Sequence, residues 1–174
     1  MSNYLKDVCN DGKAYVLDAA GFFASIQTSL TSKVYTVPGV IDEVKDSESR
    51  KMLTFSISAN KVIVIKPDRK YMSKVINVAR SLGELGKLSG TDIDLLTLIN
   101  QLLSLGCREV YLVSDDKSVQ NVALALGAKV LGIKYRALRK PRKHVYECQV
   151  CGYVSDKPGT CPKCGLKLVR KRVR

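Results

Sequence analysis

Acidic side chains follow two apolar runs of this 174-residue chain. Asp18 comes directly after the run 15–17, and the pair Asp115 and Asp116 comes after the run 110–113. Uninterrupted apolar runs of this kind are typical of strands that are buried on both faces of a parallel sheet. Because ligands of open α/β sheets bind beyond the carboxyl ends of the strands, we predict a binding site beside these carboxylates. Asp18 has a purely structural alternative, in which it only caps a helix beginning near Ala19.

Two more acidic residues, Glu43 and Asp92, fall within predicted helices, and Asp92 lies in the first turn of one that Thr91 is expected to cap. If these side chains converge on Asp18, two carboxylates about 4 Å apart would repel by up to ~4 kcal/mol at an effective dielectric near 20. Such a cluster is stable only when it is partly protonated or binds a cation, and Mg²⁺ and Mn²⁺ prefer oxygen ligands. The predicted chemistry is therefore metal-assisted cleavage of a phosphodiester, with one or two ions.

Four cysteines form a second group with the spacing of metal ligands. They lie in two C-x-x-C pairs separated by nine residues, at Cys148, Cys151, Cys161 and Cys164. Four sulfur ligands leave no open position, so we predict one structural Zn²⁺ that folds a small ribbon and performs no chemistry. A redox dithiol pair is the alternative. Cys9 and Cys107 are isolated in the sequence, and we predict that both are ordinary thiols.

The positive charge of the chain is concentrated in its last quarter. Residues 1–133 contain 16 basic and 14 acidic residues, whereas residues 134–174 contain 13 basic and 2 acidic residues, a net charge of +11. A block of this kind suits a polyanion, and a solvated tail that only aids solubility is the alternative. We predict that basic side chains of the connecting segment contact the phosphates of a nucleic acid: Arg136, Arg139, Lys140, Arg142 and Lys143.

Several other functions find no support in the sequence. The single histidine, His144, lies in the basic segment, so a Ser-His-Asp triad within the core is excluded. Neither G-x-x-x-x-G-K-[ST] nor G-x-G-x-x-G occurs, which argues against a nucleotide-binding loop. No apolar run approaches the ~20 residues needed to cross a bilayer, and the first residues lack a signal-peptide pattern. We therefore expect a cytoplasmic protein with no membrane partner.

The elements that would position these groups alternate between strand and helix. Five apolar runs predict strands, at 15–17, 34–37, 62–65, 110–113 and 130–133. Helical spacing between them implies right-handed crossovers and a parallel sheet with helices on both faces. We predict three units: a three-layer α/β domain over 1–133, a basic linker over 134–146, and a zinc ribbon with a basic tail over 147–174.

Four blocks of the sequence resemble, in order, the blocks of a PIN domain: 16–23, 38–46, 88–96 and 114–123. With the cysteine ribbon behind them, they resemble more narrowly the Nob-one type of ribosome-maturation endonuclease. The resemblance implies an acidic quartet that binds the catalytic metal, formed by Asp18, Glu43, Asp92 and Asp116. Asp115 is a close alternative to Asp116, and a place for Asp94 stays open.

The resemblance also implies a function. It implies an endoribonuclease, dependent on Mn²⁺ or Mg²⁺, that cleaves the small-subunit ribosomal RNA precursor at its mature 3′ end. The partners would be the precursor RNA in small-subunit particles and, as a further expectation, assembly-factor proteins. The alternative is a zinc-ribbon RNA-binding assembly factor without catalysis, whose acidic residues are caps and solvated groups. The oligomeric state is left open.

Overall fold

A five-stranded parallel sheet forms the centre of the first unit of the computed structural model, which describes residue 9 and residues 12–173. Its strands are β1 (Lys13–Leu17), β2 (Val34–Thr36), β3 (Val62–Val64), β4 (Glu109–Val113) and β5 (Lys129–Leu131). They lie in the order β3-β2-β1-β4-β5. Strands β2 and β3 therefore follow on one side of β1, and β4 and β5 follow on its other side. The crevice between the ends of β1 and β4 is the place where such sheets bind ligands.

In the described part of the chain, seven helices flank the sheet, and this architecture confirms the predicted PIN-like α/β fold. They are α1 (Ala19–Phe23), α2 (Ile26–Ser29), α3 (Pro38–Glu43), α4 (Ser47–Ser58), α5 (Met72–Ser81), α6 (Gly90–Ser104) and α7 (Lys117–Leu126). Two short 3₁₀ turns, Arg69–Tyr71 and Leu85–Lys87, lie before and after α5. The long helix α6 supplies much of the core, with Leu95, Leu96, Leu98, Ile99 and Leu102 almost fully buried.

The single helix expected to begin near Ala19 is divided in two. Ser25 adopts a left-handed backbone with a φ of 53°, and its N–H donates to the carbonyl oxygen of Phe22. This turn ends α1 at Phe23. Helix α2 then restarts at Ile26. A left-handed serine is uncommon, and nothing in the spacing of the apolar residues indicates it.

The C-terminal unit is a three-stranded antiparallel sheet in the order β7-β6-β8. Its strands are β6 (His144–Glu147), β7 (Val154–Ser155) and β8 (Val169–Arg172). Strand β6 begins within the segment that the sequence assigned to the linker. The buried residues of this unit are few: Tyr146, Cys148, Cys161 and Leu168. A core of this size needs a further source of stability, such as a bound metal.

The prediction that Cys9 and Cys107 are ordinary thiols is wrong, because the structure joins them in a disulfide across 98 residues. The pairing follows from the register of the sheet. Strands β1 and β4 pair Lys13 with Glu109, and the N–H of Glu109 donates to the carbonyl oxygen of Gly12 at 3.0 Å. Cys9 and Cys107 precede these two paired strands, so the pairing brings them together. Sequence spacing alone gives no sign of this contact.

The segment between the two units is held against helix α7. Backbone N–H groups of Leu138 and Arg142 donate to the side-chain oxygens of Gln120 and Asn121, at 3.0 and 2.6 Å. The Lys117 ammonium donates to the Arg136 carbonyl oxygen at 2.7 Å. The linker thus follows the N-terminal half of α7 closely. Within the described residues, no helix combines the length and the apolar character needed to cross a membrane.

Candidate active site

Asp18 and Ser114 meet in the crevice between the ends of β1 and β4. Asp18 follows β1 directly, and its backbone N–H donates to the Val113 carbonyl oxygen at 3.1 Å. The Ser114 hydroxyl donates to Asp18 Oδ2 at 2.7 Å, and the Ala19 N–H donates to Oδ1 at 2.7 Å. The carboxylate therefore caps α1, as the structural alternative expected. It is also fixed in the crevice by a hydroxyl 96 residues away in sequence.

The pKa of the Asp18 carboxyl is raised above its usual value. Burial is the largest cause, and the negative charges of Asp92 and Glu43 raise the pKa further, while the hydrogen bonds from Ser114 and Ala19 oppose the shift. Both carboxylates are therefore close enough to Asp18 to act on its charge. Acidic residues that follow β1, end α3 and begin α6 thus influence one carboxyl group. A cation would relieve the destabilised anion.

Asp92 is fixed by a capping box at the start of α6. The Asp92 N–H donates to Ser89 Oγ at 3.1 Å, and the Ser89 N–H donates to Asp92 Oδ2 at 2.8 Å. The prediction that Thr91 caps this helix is therefore wrong. The serine and the aspartate three residues later form the motif that identifies such a box in sequence, so the correct cap was readable.

Glu43 is positioned by the close approach of α3 to the start of α6. A Cβ atom at Gly39 would lie 2.7 Å from Thr91 Oγ1, a distance that side chains essentially never adopt. Glycine is therefore needed where the two helices touch. Glu43 is the last residue of α3, and its side chain is exposed.

Asp115 and Asp116 adopt different roles although they are adjacent. Asp116 caps α7, because its Oδ1 accepts hydrogen bonds from the N–H groups of Ser118 and Val119 at 2.6 and 3.0 Å. Its own N–H donates to Ser114 Oγ at 3.1 Å, so this hydroxyl connects Asp116 with Asp18.

The Asp115 carboxylate instead accepts backbone hydrogen bonds from the linker residues Ile133, Lys134 and Tyr135. Burial raises the pKa of Asp115, but these bonds and the charge of Lys117 outweigh it and leave the pKa below its usual value. The carboxylate is thus directed toward the linker.

The acidic side chains influence the charge of Asp18, but their oxygens do not lie as close together as the ligands of a bound metal ion. Among the residues that the structure describes, only the cysteines bring three or more ligand atoms within 4.8 Å of one another. The carboxylates of Asp18, Asp92 and Asp116 instead each accept backbone N–H bonds at a helix start. Asp92 Oδ1 and Asp116 Oδ2 accept no hydrogen bond within the described part of the chain, so both remain available as ligands.

The four cysteines form a compact cluster in two equivalent turns. In each turn the N–H of the glycine that follows the second cysteine donates to the carbonyl oxygen of the first cysteine. These hydrogen bonds join Gly152 to Cys148 and Gly165 to Cys161, both at 2.9 Å. Both glycines have a φ near 70°, which favours glycine. Backbone N–H groups of Cys151 and Val150 lower the pKa of Cys148 to about 7. The donor set and the spacing fit a closed, tetrahedral metal site.

Comparison with known proteins agrees with this geometry. The family described as the PIN domain of ribonuclease matches residues 15–102. The chain is 40% identical to the endoribonuclease Nob1 of Pyrococcus abyssi, over 91% of this chain and 95% of the relative. It is 33% identical to Nob1 of Archaeoglobus fulgidus, over 93% of each chain. The ribonuclease VapC3 of Aeropyrum pernix is 36% identical, over 71% of this chain and 88% of the relative.

The extent of these matches decides the classification. The PIN match covers the parallel sheet from β1 to β3 and most of α6, and it includes Asp18, Glu43 and Asp92. The Nob1 relatives match more than nine-tenths of this chain, so the matches extend beyond the PIN match into both units. The chain therefore belongs to the Nob1 family of endoribonucleases, which is built on a PIN ribonuclease domain.

Proposed function

We propose that this chain is a divalent-metal-dependent endoribonuclease that cleaves the small-subunit ribosomal RNA precursor at its mature 3′ end, in the cytoplasm. The observation that carries the proposal is the partly buried Asp18 at the crevice, whose pKa is raised by burial and by the charges of Asp92 and Glu43. A relative in Schizosaccharomyces pombe, 35% identical over half of this chain, carries the name 20S-pre-rRNA D-site endonuclease. That name supports the choice of substrate.

Four carboxylates would hold the catalytic ions: Asp18, Glu43, Asp92 and Asp116. One or two Mn²⁺ or Mg²⁺ ions would activate a water and neutralise the leaving oxygen. The chain's own contribution is orientation. The Ser114 hydroxyl and the Ala19 N–H keep Asp18 in place, the capping box fixes Asp92, and the start of α7 fixes Asp116.

Asp115 is left out of the proposed ligand set. Its Oδ1 and Oδ2 both accept hydrogen bonds from linker N–H groups, at 2.8 and 2.9 Å from Ile133 and Lys134. Its role in this proposal is to anchor the linker. Asp94 is also left out, because it lies two residues from Asp92 and so on another face of α6.

The ribbon and linker would hold the RNA. One Zn²⁺ bound by the four cysteines would fold the ribbon and take no part in cleavage. The basic linker side chains would contact phosphates, which contributes affinity without reading sequence: Arg136, Arg139, Lys140, Arg142 and Lys143. Assembly-factor proteins would act with the chain on small-subunit particles.

The test is a cleavage assay on the zinc-loaded full chain. An RNA fragment that spans the 3′ end of the small-subunit ribosomal RNA is incubated with and without Mn²⁺ or Mg²⁺, and the product ends are mapped. We expect one principal cut, at the mature 3′ end, only when a divalent ion is added.

Asp94→Asn is the matched control, because it removes a carboxylate from the same turn of α6 outside the proposed ligand set. It should cleave like the unmodified chain. Binding of the RNA without cleavage under either ion would contradict the proposal and favour the non-catalytic assembly factor.

A further inference from the structure

An open cationic pocket lies where the PIN domain, the linker and the ribbon meet. Its volume is about 630 Å³, within the ~300–1,000 Å³ typical of ligand sites. Eight of its fourteen lining residues are lysine or arginine. Lys87 and Lys117 come from the PIN domain, Arg170 and Arg172 come from the ribbon, and four come from the linker segment 136–142. We call this feature the junction pocket.

The charges of the junction pocket are largely uncompensated. Within the described part of the chain, Arg170 is the only one of the eight cations that forms an ion pair. Its partner, Glu84, is also the only carboxylate that lines the pocket. Like charges at this density repel one another, so a bound anion would stabilise the arrangement. The pocket therefore favours a ligand with several negative charges.

Glu84 connects the two units at the wall of the pocket. Its side chain is 2% exposed, and its Oε1 accepts a hydrogen bond from Asn121 Nδ2 and forms an ion pair with Arg170 Nη2, both at 2.7 Å. His144 Nδ1 lies 3.2 Å from the same oxygen. Arg170 lies on β8, His144 begins β6, and Asn121 lies on α7. A buried carboxylate thus connects the ribbon to the PIN domain.

The backbones of the PIN domain and the ribbon are also in close contact. The His144 N–H donates to the Leu82 carbonyl oxygen at 2.9 Å. A Cβ atom at Gly83 would clash with the His144 carbonyl oxygen. Because the ribbon contacts the PIN domain so tightly, cations from both units are brought to one place. The junction pocket is therefore a property of the whole chain and of neither unit alone.

The junction pocket adjoins the acidic site. Lys117 and Ser118 line the pocket, and the Ser118 N–H donates to Asp116 Oδ1 at 2.6 Å. At the start of α7, Asp116 therefore belongs to the acidic site, and the next two residues, Lys117 and Ser118, line the pocket. An RNA strand with one phosphate at the carboxylates would place its neighbouring phosphates against these cations.

We propose that the junction pocket binds the phosphodiester backbone of single-stranded RNA beside the cleaved bond. Four cations outside the linker would then also contact RNA: Lys87, Lys117, Arg170 and Arg172. The position beside the cleaved bond rests on the proposed function, whereas the binding itself does not. Single-stranded RNA is chosen because a pocket of about 630 Å³ is too small to admit a duplex.

The test compares two double variants of the zinc-loaded full chain. Lys87→Gln with Arg172→Gln removes two exposed pocket cations that form no ion pair in the described residues. Lys51→Gln with Lys74→Gln is the matched control, because it removes two exposed cations on α4 and α5 that do not line the pocket. Binding of a single-stranded oligoribonucleotide is measured by fluorescence anisotropy from 50 to 200 mM salt, without Mn²⁺ or Mg²⁺.

The pocket variant should bind at least ~10-fold more weakly at ~0.1 M salt. The slope of log K against log salt should fall by about 1.4, because each lost contact with single-stranded RNA removes ~0.7. The control should change affinity by less than ~2-fold. Equal losses in the two double variants would overturn the proposal, since they would show only the effect of net charge.

The assay also separates this proposal from the proposed function. Metal-dependent cleavage by the unmodified chain, together with equal losses in the two double variants, would contradict the junction pocket alone. Pocket-specific binding by a chain that never cleaves RNA would contradict the proposed function and leave the pocket supported.

Discussion

Replacing Asp18 with asparagine should reduce RNA cleavage by at least ~10³-fold, a loss of ~4 kcal/mol of transition-state stabilisation. Asparagine has nearly the same shape, and its side-chain oxygen can still accept the Ala19 N–H. The Ser114 hydroxyl can rotate to accept from the new amide. The substitution therefore removes the charge that would hold the ion and leaves the crevice intact. Cleavage rates with saturating Mn²⁺ measure the effect.

The fold of this variant should be at least as stable at neutral pH. Burial raises the pKa of Asp18 in the folded chain, so its ionised form lowers the free energy of unfolding. The contribution of Asp18 to that free energy is fully present below the unfolded pKa and is lost as the pH rises through the folded pKa. Asparagine does not titrate, so this pH dependence should disappear in Asp18→Asn. Denaturant unfolding of the two proteins at several pH values checks this expectation, and an unchanged RNA affinity is the control. Full cleavage activity in Asp18→Asn would remove the proposed role of Asp18.

Removing the metal from the cysteine cluster should unfold the ribbon and leave the parallel sheet folded. Two of the four buried residues of the ribbon are cysteines, Cys148 and Cys161, so its core has little apolar content without an ion. Structural zinc in small domains has an apparent binding free energy of ~10–16 kcal/mol at neutral pH. After chelation, amide protection in β6 and β8 should be lost, while β1 and β4 keep theirs. Hydrogen exchange resolves the two regions.

Three comparisons complete the chelation experiment. Cys148→Ser should reproduce the loss of protection without a chelator, and added Zn²⁺ should restore it only in the unmodified chain. The Cys9–Cys107 disulfide requires a chelator that is not a thiol, so that reduction does not contribute. A ribbon that keeps its amide protection after the metal is gone would contradict a structural role for the site.

The parallel sheet was predictable because each strand carries a local signal. Val16 and Leu17, like Leu112 and Val113, are successive buried residues, as expected for strands covered on both faces. The acidic residues at their ends followed from the same pattern, since side chains after parallel strands meet at one edge. Helix starts could be predicted only in part. At the start of α6, the capping-box motif of Ser89 and Asp92 identifies the cap, whereas Thr91 does not cap the helix.

The remaining features depend on contacts between distant segments. The disulfide of Cys9 with Cys107 follows from strand register, and the choice between Asp115 and Asp116 depends on where the linker returns to the sheet. Glu84 carries no local signal at all, because its partners Arg170 and His144 lie in the ribbon. Such contacts are set by how the units pack and leave no periodic pattern in the chain.

Manganese binding tests most directly whether acidic residues from four segments form one site. Electron paramagnetic resonance titration of Mn²⁺ into the zinc-loaded chain would compare the unmodified protein with single variants. Four of these remove proposed ligands: Asp18→Asn, Glu43→Gln, Asp92→Asn and Asp116→Asn. Asp94→Asn removes a neighbouring charge outside the proposed set. We predict that each of the four weakens Mn²⁺ binding at least ~10-fold and that Asp94→Asn changes it by less than ~2-fold. Unchanged Mn²⁺ affinity in the four variants would contradict the shared metal site.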